Sequence, residues 1–314
     1  MRAQNRHRTR RTGRTVVIAT AAAVVLAGGG AIAGVHALAR TPAGAVVRPA
    51  APAASSTGAA QPAAEGVESV EPEASAADRD QELSDALGTV AGAAGADFSV
   101  AVLDTASGAQ AVYGDGTYDT ASIVKVDILA ALLLRAQDAG RELTAQEKAY
   151  AAVMIEQSDN DAATVLWHAV DGAQGLAEAN ERLGLTGTVG GDGDLWGLTR
   201  TTAADQLRLL RAVFGDDSPL DAASRTYLRE LMGRISAGQD WGVTAAAASA
   251  SDSALKNGWL RRSTTGLWDI NSIGQVTADG TTYLVAVLSG GHLTQAAGIA
   301  LAEDVARAAV GAFR

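Results

Sequence analysis

The chain has 314 residues, enough for one large domain or two small ones with extensions, and its apolar fraction of 47% suffices for a folded core. It contains no cysteine, which excludes disulfide scaffolds, cysteine zinc sites and an anchor lipidated on cysteine. Residues 1–48 carry eight basic residues and no acid, whereas the remainder carries 17 basic against 35 acidic; so acidic a body does not bind nucleic acid through its phosphates.

At the N-terminus "MRAQNRHRTRRTGR" holds six arginines and no acid, and the apolar stretch Thr15 to Ala39 follows. This is the layout of a secretory signal peptide or signal anchor over residues 1–40. "ALA" at 37–39 suits a signal peptidase, yet the apolar stretch is also long enough to span a bilayer. The arginines belong on the cytoplasmic side and the rest outside. The expected location is therefore the outer side of the cell membrane or the medium, with membrane contact only through this segment. Residues 41–80 are rich in Ala, Pro, Ser and Glu without a sustained period. They read as a disordered tether, and the folded domain is expected over 81–314.

Within that domain, "DFSVAVLD" (97–104) and "AQAVYG" (109–114) flank a short loop and predict a hairpin. Helices are predicted over 121–138, 144–157, 161–169, 173–183, 201–214 and 219–237. Strands return near 251–257, 267–276 and 281–289. "TYLVAVL" is apolar on both faces and reads as a central strand. Ile299, Ala302, Ala306, Val310 and Phe313 share one face of a final helix. The order strands, helices, strands, helix predicts an α+β domain. Both chain ends build one antiparallel sheet, and the middle forms a helical lobe.

The chemistry starts at "TASIVKVDILAALLL" (120–134), an apolar helical run that contains a lysine. Ser122 and Lys125 are three apart and share a helix face. In the first turn of a helix, free N–H groups favour negative charge on the serine. A desolvated lysine loses proton affinity and can serve as its base. Two further elements follow: "SDN" at Ser158, Asp159 and Asn160, and "KNG" at Lys256, Asn257 and Gly258. The chain has only three lysines, at 125, 148 and 256, so two of the three fall in these motifs. Elsewhere arginine is used, which argues that both positions require an ammonium.

Ser-x-x-Lys, Ser-Asp-Asn and a Lys-Thr-Gly-like triplet in that order are the motifs of penicillin-recognising serine enzymes. Over roughly residues 95–314 the chain resembles class A β-lactamases and the related D-alanyl-D-alanine peptidases. The resemblance implies their three-layer α/β/α fold, an acyl-enzyme mechanism without metal or cofactor, and a β-lactam or D-alanyl peptide as small-molecule partner. The domain is expected to be monomeric. The resemblance also implies the roles of individual residues. Ser122 is the nucleophile, Lys125 its base, and Ser158 a proton relay to the leaving nitrogen with Lys256 beside it. Asn160 binds the acylamide side chain of the substrate. Lys256, Asn257 and Gly258 belong to the element that meets the substrate carboxylate, and the N–H groups of Ser122 and Trp259 form the oxyanion hole. Asp159 is expected to tie its loop.

Three departures from the family pattern stand out. Asn257 replaces the threonine of the third motif. The spacing between Ser122 and Ser158 is short, which predicts a reduced helical lobe and a more open cleft. No glutamate lies between Arg182 and Arg229, where class A β-lactamases carry the carboxylate that activates the deacylating water. Asp192 and Asp194 are the only acids in "LGLTGTVGGDGDLWGLTR", and beside glycine they read as turn formers. Hydrolysis of β-lactams is therefore expected to be slow. The rival expectation is a catalytically silent surface domain that binds peptidoglycan fragments or β-lactams. A Ser-His-Asp hydrolase fits poorly, because beyond residue 40 only His168, expected to pack on its helix, and His292, placed to line the cleft, are available and no G-x-S-x-G elbow exists. Metal hydrolysis lacks an H-E-x-x-H motif.

Overall fold

The computed structural model describes residues 75–249 and 253–314. The arginine-rich start, the apolar stretch and most of the expected tether lie outside these residues. Among the described residues no helix is long and apolar enough to cross a membrane.

Among the described residues eight α-helices and seven strands follow one another. They are α1 (Ala76–Ala94), β1 (Asp97–Asp104), β2 (Gln110–Tyr113), β3 (Tyr118–Asp119), α2 (Val124–Asp138), α3 (Ala145–Glu156), α4 (Asn160–Ala169) and α5 (Gly172–Leu183), then β4 (Arg200–Thr201), α6 (Ala203–Phe214), α7 (Ala222–Met232), β5 (Ser253–Arg261), β6 (Trp268–Ala278), β7 (Thr281–His292) and α8 (Gln295–Gly311). The main sheet has the order β2-β1-β7-β6-β5. Its four neighbouring pairs are all antiparallel. β1 lies along β7 from Asp97↔Gly290 to Asp104↔Tyr283, so the two ends of the domain meet in one sheet as expected.

Strand alternation builds the three layers. Phe98, Val100 and Val102 of β1, with Tyr283, Val285 and Val287 of β7, face a core shared with α1 and α8. Ala101, Leu103, Leu284, Ala286 and Leu288 point the other way, into the larger core of the helical lobe. Both faces of the central strands are buried, which is why "TYLVAVL" is apolar throughout.

The ordered domain starts earlier than expected. Residues 76–80, assigned above to the tether, are the first turn of α1. Ser75 and Asp78 form a reciprocal capping box, and Leu83 and Leu87, one turn apart, are fully buried. The Asp80 carboxylate accepts the Val112 N–H at 2.7 Å, tying the helix to β2. A composition rich in Ala, Ser and Glu conceals the signal, yet S-x-x-D before an apolar i, i+4 pair is a helix start.

α2 positions the site. Twelve of its residues are buried, Lys125 and Asp127 among them, so it runs through the lobe with no solvent face. Asp127 is fully buried, and neither carboxyl oxygen meets a donor. Burial pushes it up to about 7, with Gln206 beside it. Gln206 Oε1 is likewise without a donor.

A folded-state value raised above the ordinary 3.8 means that the unfolded chain holds fewer protons between pH 3.8 and about 7. Stability from this group is thus complete at the acid end of that window and falls as pH rises through about 7, by up to about 4 kcal/mol on the scale of one pKa unit per 1.4 kcal/mol. Asp127→Asn removes this loss. Urea unfolding at pH 5 and pH 8.5 is expected to show the variant gaining stability relative to the parent at the higher pH.

Candidate active site

Ser122 sits in a tight turn, residues 121–123, that leads directly into α2. Ala121 before it has φ 47°, a left-handed conformation that costs a residue with a side chain about 1–3 kcal/mol. The surroundings hold it there. Asn271 on β6 donates its amide to Asp119 O at 2.8 Å and to Thr120 O at 3.0 Å. Thr120 N–H donates to Thr199 O at 2.8 Å. Below the turn, buried Asp119 pairs with Arg262 and, at 3.4 Å, with Arg200. Ser122 itself stays half-buried, with buried residues on either side.

Lys125 is fully buried one turn later. Its Nζ lies 3.0 Å from Ser122 Oγ, 2.7 Å from Ser158 O, 3.1 Å from Ser158 Oγ and 2.8 Å from Asn160 Oδ1. Ser158 has φ 57°, and this left-handed turn aims both its carbonyl and its hydroxyl at one amine. Asp159 caps α4 by accepting Ala162 N–H at 2.7 Å. Asn160 is the first residue of that helix. The two neighbours thus divide the cap and the lysine contact between them.

Lys256 approaches from β5, also fully buried. Its Nζ is 3.0 Å from Ser158 Oγ and 2.9 Å from Asn257 O. Ser158 Oγ therefore stands between two amines. Burial, opposed by the charge of Asp159, pushes Lys125 down to about 7. Burial and then the charge of Lys125 hold Lys256 well below its ordinary value. Burial and their mutual repulsion thus work against both amines being charged around one hydroxyl.

The third motif divides across β5. Lys256 and Gly258 face the turn that carries Ser122. Asn257 points through the sheet and donates its amide to Gln239 O at 2.8 Å and Trp241 O at 3.0 Å. Asn257, expected at a substrate carboxylate, thus stands on the strand face opposite Lys256. Successive strand residues face opposite ways, and here the amide is consumed in holding the 239–241 segment. The Trp259 indole also turns away and packs at 6.0 Å from that of Trp241, leaving only its backbone toward the cleft. Gly258 is required by contact: a Cβ there comes 2.7 Å from Thr120 O, 2.8 Å from Ser122 N and 2.9 Å from Ile123 N. The missing side chain lets the strand edge touch the turn of Ser122.

The remaining wall is the glycine-rich segment 186–199. α4 fastens it with one face. Trp167 Nε1 donates to Gly193 O at 2.7 Å, His168 Nε2 lies 2.5 Å from Asp194 Oδ1, and Thr164 Oγ1 accepts Trp196 Nε1–H at 3.1 Å. The Trp196 ring centre stands 4.9 Å from Lys125 Nζ. Sequence reasoning missed both Trp196 and Asn271, since neither belongs to a motif. Asp194 is occupied by His168, so His168 faces outward to this loop instead of packing on its helix. His292 is not in the cleft: it is buried, 2.9 Å from Ser289 Oγ and close against Gly298 of α8. Among the described residues no group of three or more His, Asp or Glu is placed to hold a metal ion.

With this geometry in hand, the chain compares with known proteins as follows. The model of the β-lactamase enzyme family matches residues 134–313, more than half of the chain, beginning after Ser122 and Lys125. No curated protein matches. A representative of class A β-lactamase from Bacteroides cellulosilyticus is similar at 17% identity with a TM-score of 0.64, covering 75% of this chain and 98% of its own. A mutant class A β-lactamase of the last common ancestor of Gram-negative bacteria is similar at 25% identity with a TM-score of 0.60, covering 74% of this chain and 98% of its own. A mutant of PBP-A, solved as an acyl-enzyme complex with penicillin G, is similar at 22% identity with a TM-score of 0.63, covering 74% of this chain and 96% of its own.

The Gly258 contact is testable without reference to any reaction. The atoms that a Cβ meets are backbone, so they relax only by moving the turn of Ser122 off β5. Gly258→Ala is expected to lower stability by about 1–3 kcal/mol in urea unfolding, whereas Gly311→Ala, in open space at the end of α8, is expected to leave it unchanged or raised.

Proposed function

Because the chain belongs to the β-lactamase enzyme family, a family of serine hydrolases, we propose that it forms an acyl-enzyme on Ser122 with β-lactams or D-alanyl peptides and releases the acyl group slowly. The observation that carries this reading is the buried amine of Lys125, 3.0 Å from Ser122 Oγ. In its neutral form the lone pair of Nζ accepts the Ser122 hydroxyl proton. Oγ then bonds to the carbonyl carbon of the substrate, the carbonyl oxygen is met by the N–H groups of Ser122 and Trp259, and the carbon–nitrogen bond breaks. Ser158 gives its proton to the leaving nitrogen and is resupplied by Lys125, with Lys256 3.0 Å from its hydroxyl.

Slow release is supported by the loop. No glutamate lies between Arg182 and Arg229, Asp194 is engaged by His168, and among the described residues no carboxylate bonds to Ser122 or Lys125. Export is part of the same proposal. It rests on the arginine-rich start and the apolar stretch Thr15 to Ala39, which place the domain outside the membrane, where cell-wall peptides and β-lactams are met. Two features of the sequence favour a second reading, a domain that binds such molecules without acylation: Asn257 stands where the family motif has threonine, and no glutamate lies between Arg182 and Arg229.

Fluorescent-penicillin labelling of the full chain separates the two readings. A covalent adduct is expected on the parent and none on Ser122→Ala. Lys125→Met is expected to slow labelling by about 100-fold or more, the usual worth of a general base. The rate is expected to depend on pH with a defined sign. The neutral amine is the active form, so labelling rises with pH and levels off above about 7. Reversible binding with no Ser122-dependent adduct at any pH decides for the binding domain.

A further inference from the structure

We propose that Trp196 controls how long the acyl group stays on Ser122, by keeping water away from Lys125 and from the ester. The inference rests on the acyl-enzyme reading above and adds a residue that no motif contains.

Release by hydrolysis has fixed requirements. A water oxygen must bond to the ester carbonyl carbon as the bond from that carbon to Ser122 Oγ breaks. One water proton must finally reside on Oγ, and the other stays with the acid product. The proton needs a base within hydrogen-bond reach of the water. Among the described residues the group nearest to Ser122 Oγ that can serve is Lys125 Nζ.

The surroundings of that nitrogen are occupied. Four oxygen atoms of Ser122, Ser158 and Asn160 lie within 2.7–3.1 Å of Nζ. A further direction is closed by the Trp196 ring at 4.9 Å. An indole face accepts no ordinary hydrogen bond from water, so a water there loses the partners that would hold it. The ring is also fixed. Its N–H is used by Thr164 Oγ1, which in turn donates to Asn160 O at 3.1 Å. The turn 196–198 packs on the turn of Ser122, and Gly197 comes close to Ala121 there. The loop behind it is held by Trp167, His168 and the Gly191 N–H bond to Thr199 Oγ1 at 3.1 Å. The indole is thus a built wall beside the reacting atoms. The same wall contributes to the desolvation of Lys125, so its removal acts on two measurable quantities.

The test is a pulse of fluorescent penicillin followed by an unlabelled chase on the full chain, for the parent, Trp196→Ala, Trp196→Phe and Thr164→Val. Intact folding is checked by circular dichroism. The adduct is expected to decay at least tenfold faster on Trp196→Ala. Trp196→Phe retains a ring and is expected to fall between Ala and the parent. Thr164→Val releases the indole N–H without removing the ring and is expected to shorten the lifetime less than Ala. The midpoint of the labelling rate against pH is expected to move upward on Trp196→Ala, because water reaches Lys125. The charged groups that face Lys125, Asp159 on α4 and Lys256 on β5, are unchanged in that variant. A purely structural weakening moves neither quantity in this pattern. Adducts on all four proteins with equal lifetimes overturn the role of Trp196 and leave the acyl-enzyme reading standing. Absence of an adduct on the parent overturns both.

Discussion

Two fully buried lysine amines share one half-buried serine hydroxyl, and much of the structure follows from that. Taking an ammonium out of water costs several kcal/mol unless its partners are excellent or it sheds its proton. The fold supplies both remedies. Lys125 receives four oxygens, and both amines are held below their ordinary proton affinity. To bring the lysines together, α2 is buried along nearly its whole length and β5 forms the edge of the sheet beside it. Ser158 has to adopt a left-handed turn so that one residue offers two acceptors.

The strained turn of Ser122 has its own support, drawn from distant parts of the chain. Asn271 holds two carbonyls of the turn, and its own Oδ1 accepts Ser289 N–H at 3.2 Å. One buried side chain therefore fixes the turn to both β6 and β7. Asp119 is nearly inaccessible and is neutralised by Arg262, which also bonds Asp269 at 2.9 Å. Buried carboxylates without such partners are strongly destabilising. The left-handed Ala121 persists because these contacts over-determine it, which leaves Ser122 half-buried between buried neighbours and not drawn into the core.

Much of this was legible in the sequence, for identifiable reasons. The three polar motifs interrupt apolar periodic segments, and their lysines stand out in a chain that otherwise uses arginine. The apolar strands at both ends announce a shared sheet. What escaped has a physical cause in each instance. α1 was hidden because its alanine-rich composition matches that of a tether, although Ser75, Asp78, Leu83 and Leu87 spell a capped amphipathic turn. Asn257 was assigned to the site by its place in a motif, whereas the period of two along a strand sends it to the face opposite Lys256. Asn271 and Trp196 act through tertiary contacts with residues 151 and 71 positions away in the chain, at Thr120 and Lys125, and no local pattern encodes those.

The division of labour between segments bears on how such a site can change its chemistry. The groups assigned to acylation, Ser122, Lys125, Ser158 and Lys256, come from α2, the turn before α4 and β5, which are locked into the two cores. The wall at 186–199 is fastened instead to one face of α4, through Thr164, Trp167 and His168 at helical spacing. Among the described residues a backbone bond from Thr120 N–H to the Thr199 carbonyl joins it to the chain just before the turn of Ser122. Substitutions in this loop can alter what stands beside Lys125 without moving the amine or the serine. On the reading proposed here, formation and release of the acyl group are therefore set by different parts of the fold. On that reading the indole of Trp196 favours retention of the acyl group, while Lys125 and Lys256 are held by contacts from outside the loop.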